Sequence, residues 1–270
     1  MLDYLAIGHV AQDLTPQGLR LGGTVAYAAL TAQALGQRAG IITSVAPEAD
    51  LTDLKQLTLQ IVPSPTSTVF ENIDTPTGRV QKVHAQAQRL TVESLPPNWQ
   101  PVRLVHFGPI INEIDPQMIQ QFSESFIGLT PQGWMRRLDS DGNVYRAEWL
   151  EAERLLRLAS ATVISLEDVA GDWAIAAQWA SLSKVFVVTQ GERGATVFWN
   201  GERQHLAAPA VTVVDATGAG DIFAAAFFVH LQHSGDPFGA ARSAIDIASD
   251  SVTRMGIAGV PSRFLSPRSL

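Results

Sequence analysis

The chain has 270 residues, a formal net charge of −7 and no cysteine, with an isoelectric point near 5.3. That balance argues against a nucleic-acid surface, which needs a basic stripe. The missing thiols exclude a disulfide framework, a thiol nucleophile and a cysteine metal site. Hydrophobic content of 46% with 17% charged residues is that of a well-packed soluble globule. Met1-Leu2-Asp3-Tyr4 lacks a basic n-region, and the longest wholly apolar run, Ile222 to Val229, is far short of a membrane span. A cytoplasmic protein without membrane or nucleic-acid partners is therefore expected.

Along the chain, Tyr4 to Gly8 reads as a buried first strand, followed by a loop from His9 to Gly18 that carries Asp13. Leu21-Gly22-Gly23-Thr24 leads into an alanine-rich helix from Val25 to Gly36, with Thr24 as an N-cap and Gly36 as its stop. Gly40 to Val45 is a strand, which completes a βαβ unit. Gln60–Pro63, Ser67–Asn72 and Gly78–Ala85 are short and β-branched, and predict a small hairpin insert beside the main sheet.

Leu104 to Gly108 returns to a strand, Pro116 to Phe126 predicts a helix, and Phe126 to Thr130 a further strand. After a loop from Pro131 to Tyr145, Ala147 to Ala159 has an amphipathic helical pattern. Thr162–Ser165, Asp172–Leu182 and Val185–Thr189 read as strand, helix and strand. Asn200-Gly201 between two β-patterned runs is a strong hairpin signal. Helices are predicted up to His230 and from Pro237 to Met255, before a tail from Gly256. This alternation predicts an α/β fold, a mostly parallel sheet with helices on both faces. One domain over 1–270 with a β insert at 61–85 is the simplest account.

The chemistry concentrates in Val213-Val214-Asp215-Ala216-Thr217-Gly218-Ala219-Gly220-Asp221-Ile222-Phe223. The pattern reads as strand, tight glycine turn and helix start, with Asp221 in the first helical turn. Unpaired N–H groups at a helix start, beside glycines that admit a close approach, form an anion site, and phosphate is a common guest. A carboxylate there has a use if it takes the proton of a hydroxyl attacking that phosphate. No lysine follows a glycine, so there is no Walker-A loop; the dinucleotide fingerprint, the Gly-x-Ser-x-Gly elbow and the His-Glu-x-x-His helix are also missing. His230 and His233 lack an acidic companion and read as helix-end residues.

Asp215-Ala216-Thr217-Gly218-Ala219-Gly220-Asp221, followed by Phe223, resembles the second signature of the ribokinase-like, or PfkB, carbohydrate kinases. Gly22-Gly23 at the head of a helix is similar to the family's N-terminal glycine pair, and Val188-Thr189-Gln190-Gly191-Glu192-Arg193-Gly194 to its nucleotide-side strand and turn. The resemblance implies a three-layer α/β/α fold with a small, reduced β lid, and transfer of the ATP γ-phosphoryl group to an alcohol with Mg2+. It makes Asp221 the catalytic base, with the N–H groups of Gly218, Ala219 and Gly220 holding developing charge. Asp13, Gly22 and Gly23 would meet the substrate; Ser165, Thr189, Gly191, Gly194, Gly218 and Gly220 would line the nucleotide. Ser165-Leu166-Glu167-Asp168 stands where relatives carry Asn-x-x-Glu, so Asp168 would act on magnesium through water, and Asp215 is a candidate to hold a monovalent cation such as K+.

Departures bear on the acceptor. Tyr27 occupies the slot of a substrate-touching asparagine and suits a flatter, more aromatic-compatible pocket. Gln132 and Arg136 fall in a loop after a strand, where ligands bind in open α/β sheets. Between Asp13 and Gly22 there is little room for the first part of a lid, so a monomer or weak homodimer is expected. The acceptor classes are a polyol, sugar or nucleoside; a hydroxymethyl-pyrimidine or pyridine is the alternative, and a non-catalytic nucleotide or metabolite sensor the rival from another class.

Overall fold

Alternation of side chains along the central strands decides the architecture. In the computed structural model, which describes residues 2–75, 78–96 and 102–261, Tyr4 to Ile7 are all buried. Tyr4 and Ala6 face one apolar layer, while Leu5 and Ile7 face a second. A strand buried on both faces needs a cover on each, and that dictates three layers.

Among the described residues the main sheet has nine strands. In spatial order they are β15 (Glu202–Leu206), β14 (Ala195–Trp199), β13 (Val185–Thr189), β12 (Ala161–Ser165), β9 (Phe126–Leu129), β8 (Leu104–Phe107), β1 (Tyr4–Ile7), β4 (Ala39–Val45) and β5 (Thr58–Pro63). From β13 to β5 every neighbouring pair is parallel; β14 and β15 close one edge antiparallel. On one face lie α1 (Thr24–Ala34), α4 (Ala219–Ser234) and α5 (Pro237–Ser251). The other face carries α2 (Ala152–Leu158), α3 (Trp173–Leu182) and a 3-10 segment at Pro116–Phe122.

Helix α4 is the central strut of its layer. Ile222 to Val229 are all buried, so it contacts the sheet, α1 and α5 at once. Full burial of Phe227 and Phe228 contributes about 2–3 kcal/mol each. Among the described residues no helix is long and apolar enough to cross a membrane.

A second sheet has four strands, ordered β3 (Gly18–Gly22), β2 (Ala11–Thr15), β6 (Thr68–Thr75) and β7 (Gly78–Ala85). It corrects two expectations. His9 to Gly18 is not simply a loop: Ala11 to Thr15 is a strand, and the short turn at Pro16-Gln17 folds it back onto β3. Gln60–Pro63 does not join the insert but forms β5, at the edge of the main sheet.

Smaller differences follow from local packing. Pro116–Phe122 is wound as 3-10 rather than α, α2 starts only at Ala152, and the loop at 131–145 contains a 3-10 turn (Pro131–Met135) and a small hairpin, β10 (Arg136–Leu138) with β11 (Val144–Arg146). Val213 and Val214 form no strand; they are exposed, and the N–H groups of Val214 and Asp215 reach Val252 O beyond α5. Helix α4 runs on to Ser234, and α5 stops at Ser251. The expected tail falls mostly at 262–270, outside the described residues.

Candidate functional site

Most residues with a chemical assignment above lie near the C-terminal ends of the parallel strands or at the helix starts facing them. Asp13 follows β1, Gln132 and Arg136 follow β9, Ser165 and Asp168 close β12, and Thr189 and Gly191 close β13. In open α/β sheets this end holds the ligand crevice.

Asp221 occupies the first turn of α4, whose cap is Gly218. Burial pushes its carboxyl up to about 6, against a hydrogen bond from Thr24 and the positive charge of Arg136; Asp13 and Asp168 push it the same way as burial. Those influences place four side chains from four separate segments around one carboxylate. Thr24, the first residue of α1, holds the acid in place, a role that its reading as a plain N-cap missed; the cap position itself belongs to Gly23.

The turn before Asp221 is shaped by contact. Gly218 has φ +77, and a Cβ there would stand 2.3 Å from the Tyr27 ring. Tyr27 is 2% exposed, so its ring is a support beneath the turn rather than the wall of an aromatic pocket. Burial raises its phenol well above the ordinary range, with Asp13 and Asp221 adding to the effect. Helix geometry supplies no carbonyl for the N–H groups of Gly218 and Gly220, whereas Ala219 N–H donates to Ala216 O at 3.2 Å. Of the three N–H groups, Ala219's is thus already engaged, and those of Gly218 and Gly220 are the ones that could meet an anion.

On the facing side, Asp13 lies against Gly22: a Cβ on Gly22 would be 2.4 Å from Asp13 Oδ2. Gly23 sits beside His9 O and Ala11 N with the same closeness. The cross-strand partner of Asp13 is Arg20 on β3. Arg20 is also felt electrostatically by Asp215 and Tyr27. Its place opposite Asp13 depends on the β2–β3 pairing, which a loop over His9 to Gly18 leaves out.

Arg136 and Asp168 complete the ring. Arg136 Nη1 donates to Ile110 O at 2.9 Å. Burial lowers its affinity for its proton, and Asp168, Glu113 and Asp221 oppose that. Asp168 accepts from Ser165 N at 2.8 Å and from Gln132 Nε2 at 3.1 Å, and burial raises its carboxyl. Ser165 and Asp168 form a reciprocal capping box. Both oxygens of Asp168 are thus engaged, and among the described residues no cluster of three acidic or histidine side chains could hold a metal ion. That donor set suits a magnesium ion reached through water and held mainly by phosphate oxygens.

The two oxygens of Asp215 accept from Thr217 N at 2.9 Å and Gly256 N at 2.9 Å, and so tie the turn to the segment after α5. Thr189 Oγ1 donates to Ile164 O at 3.2 Å. Gly191 lines a cleft of about 350 Å³ with Ser165, Leu166, Glu167, Gln190 and Arg193. Gly194 precedes β14, where a Cβ would stand 2.0 Å from Leu206 O and 2.7 Å from Ala208 N, and it is not part of that cleft lining.

Residues 150–263 match the model of the pfkB family of carbohydrate kinases. A cytidine kinase of Thermococcus kodakarensis is 26% identical over 258 residues, 84% of this chain and 87% of that protein. A deoxyribokinase of Salmonella typhi is 39% identical over 70 residues, which are 26% of this chain and 23% of its own length. Among solved structures, a pyrophosphate-dependent kinase in the ribokinase family, complexed with a pyrophosphate analog and myo-inositol, superposes with a TM-score of 0.82 at 20% identity, covering 94% of this chain and 96% of that one. Ribokinase from Thermotoga maritima gives 0.72 at 19% identity, with 97% of each chain covered. The chain thus has the ribokinase-like fold, and its C-terminal part, residues 150–263, is similar to the pfkB family of carbohydrate kinases.

Proposed function

We propose that this protein transfers the γ-phosphoryl group of ATP to a hydroxyl of a small polyol, sugar or nucleoside. The observation that carries the reading is the convergence of Asp221, Thr24, Arg136, Asp13 and Asp168 beside the open N–H groups of Gly218 and Gly220. Asp13 accepts hydrogen bonds from the acceptor's hydroxyls and fixes its orientation. Asp221 takes the proton from the attacking hydroxyl as its oxygen bonds to the γ-phosphorus. The bond from that phosphorus to the β,γ-bridging oxygen breaks, and ADP leaves with the electron pair. Gly218, Gly220 and Arg136 offset charge on the transferring group, the largest contribution in sites of this kind. Magnesium would supply charge neutralisation between the phosphates, with Asp168 touching its water shell.

Val213, Val214 and Met255 are each more than half exposed, and the hydrogen bonds of Val214 and Asp215 bring them to the mouth of the turn. Such an apolar shelf suits the flat base of a nucleotide, and favours ATP over a donor without a base. Pyrophosphate remains the second donor to test, because a structure that superposes well belongs to a pyrophosphate-dependent kinase. The nucleoside reading of the acceptor draws on the cytidine kinase of similar length.

The test is a panel of ribose, deoxyribose, cytidine, myo-inositol and a hydroxymethyl-pyrimidine, each with magnesium and either ATP or pyrophosphate. Acceptor-dependent ADP formation is expected. Transfer from pyrophosphate alone would move the donor assignment, and saturable ATP binding with no transfer to any alcohol would make the protein a sensor.

A further inference from the structure

Between β8 and β9 the chain buries a carboxylate that the reaction above does not use. Glu113 is 1% exposed. Its oxygens accept from Ile110 N at 3.0 Å, from Ile111 N at 2.8 Å and, across the molecule, from His9 N at 3.2 Å. The preceding Asn112 is held at φ +59, a conformation uncommon outside glycine. A buried anion is costly unless it is well hydrogen-bonded, and here backbone N–H groups surround it.

Each of those donors leads to a different part of the site. Ile110 O accepts from Arg136 Nη1 at 2.9 Å, so the peptide that gives its N–H to Glu113 lies next to the one that seats the arginine. Glu113 also acts electrostatically on Arg136. Ile110 and Ile111 pack with Ala11, Phe70 and Val83, the apolar foot of the four-stranded sheet. His9 is the link between β1 and β2. Its Nε2–H donates to Gln88 O at 2.8 Å, which leaves Nδ1 to accept from the Thr68 hydroxyl at 2.7 Å.

We infer that Glu113 is a positioning residue for phosphoryl transfer: one buried carboxylate sets both Arg136 and the foot of the sheet that carries Asp13. The inference rests on the kinase reading, because it gives those two residues their work. It touches neither donor nor acceptor. Its effect is to hold two groups from separate segments at a fixed separation, and a displacement of 1 Å in such a site costs roughly 10²-fold in rate.

The experiment compares Glu113→Gln, Arg136→Ala and the double variant. Glu113→Gln puts an amide N–H among N–H donors. Acceptor-dependent kcat is expected to fall about 10²-fold, while the affinity for ATP measured by calorimetry stays at the wild-type value. Because Glu113 acts partly through Arg136, the loss in the double variant should be smaller than the product of the two single losses. Losses that multiply, or a loss of ATP affinity equal to the loss of kcat, would overturn the inference. If Glu113→Gln does not fold, Glu113→Asp carries the same comparison, since its charge survives and only its reach is shortened. Hydrogen exchange at the amides of His9, Ile110 and Ile111 supplies a readout independent of catalysis. Joint deprotection of all three in the variant is expected, and unchanged protection would refute the anchoring. Wild-type protein with protected amides but no transfer would sink the kinase reading rather than the anchor.

Discussion

At the scale of single residues, the first turn of α4 balances opposing demands. A carboxylate there is favoured by the helix dipole, yet burial lifts Asp221 to about 6. The lift makes it a better proton acceptor than an ordinary aspartate, whose low pKa suits it poorly to an alcohol. Turnover should rise as pH climbs to about 6 and level off above it, because only the ionised form takes the proton; a rate that falls over this range would refute the assignment. Asp221→Asn should fold, still bind ATP and lose roughly 10²–10⁴ in kcat. Gly218→Ala tests the turn. Its φ of +77 and the Tyr27 ring 2.3 Å from the new Cβ should together cost about 1–3 kcal/mol, read as a lowered Tm. Adding Tyr27→Ala to that variant removes the clash but not the φ strain. If Tm does not then fall by less than the separate effects added together, the ring contact was misjudged.

The elements differ in how plainly the sequence announces them. Strands buried on both faces, such as Val185–Thr189, are legible as apolar runs, and Asn200-Gly201 gives its hairpin directly. The β2–β3 hairpin is not legible in that way. Ala11-Gln12-Asp13-Leu14-Thr15 is mostly polar, and its pairing is fixed by β6, far along the chain. With it went Arg20, whose relevance depends on lying opposite Asp13. The further roles of Thr24 and Glu113 are hidden for another reason: a hydroxyl at a helix start and an acid in a loop have common local uses, and only tertiary placement gives them others. Phe70 is where the four-stranded sheet meets the body, 5% exposed among Ala11, Val83, Ile110 and Ile111. Phe70→Ala should cost up to about 3–5 kcal/mol. Since Phe70 stands opposite Asp13, the acceptor KM should rise while ATP affinity is kept. An unchanged acceptor KM would mean that the sheet does not hold the acceptor.

Over the whole molecule, buried titratable groups pull the pH dependence of stability in opposite directions. His106, fully buried and hydrogen-bonded to Tyr4 at 2.6 Å and Thr130 at 2.8 Å, is pushed down to about 3 by burial. The unfolded chain would protonate it near 6.5. Between those values the unfolded state binds the extra proton, so stability rises with pH, by about 1.4 kcal/mol per pH unit. Burial lowers His230 too, with the same sign. Asp221 does the reverse. Its folded form keeps a proton up to about 6 that the unfolded chain releases near 4, so stability falls with pH across that interval, and Asp168 shares the direction. The opposed slopes should leave the wild-type Tm nearly flat between pH 4 and 6. Asp221→Asn removes one side of the balance, so its Tm should climb with pH over that window and exceed the wild-type value above pH 6. Parallel Tm profiles for the two proteins would show that the Asp221 carboxyl titrates alike in the folded and unfolded chains, and its elevation as a base would fall with that result.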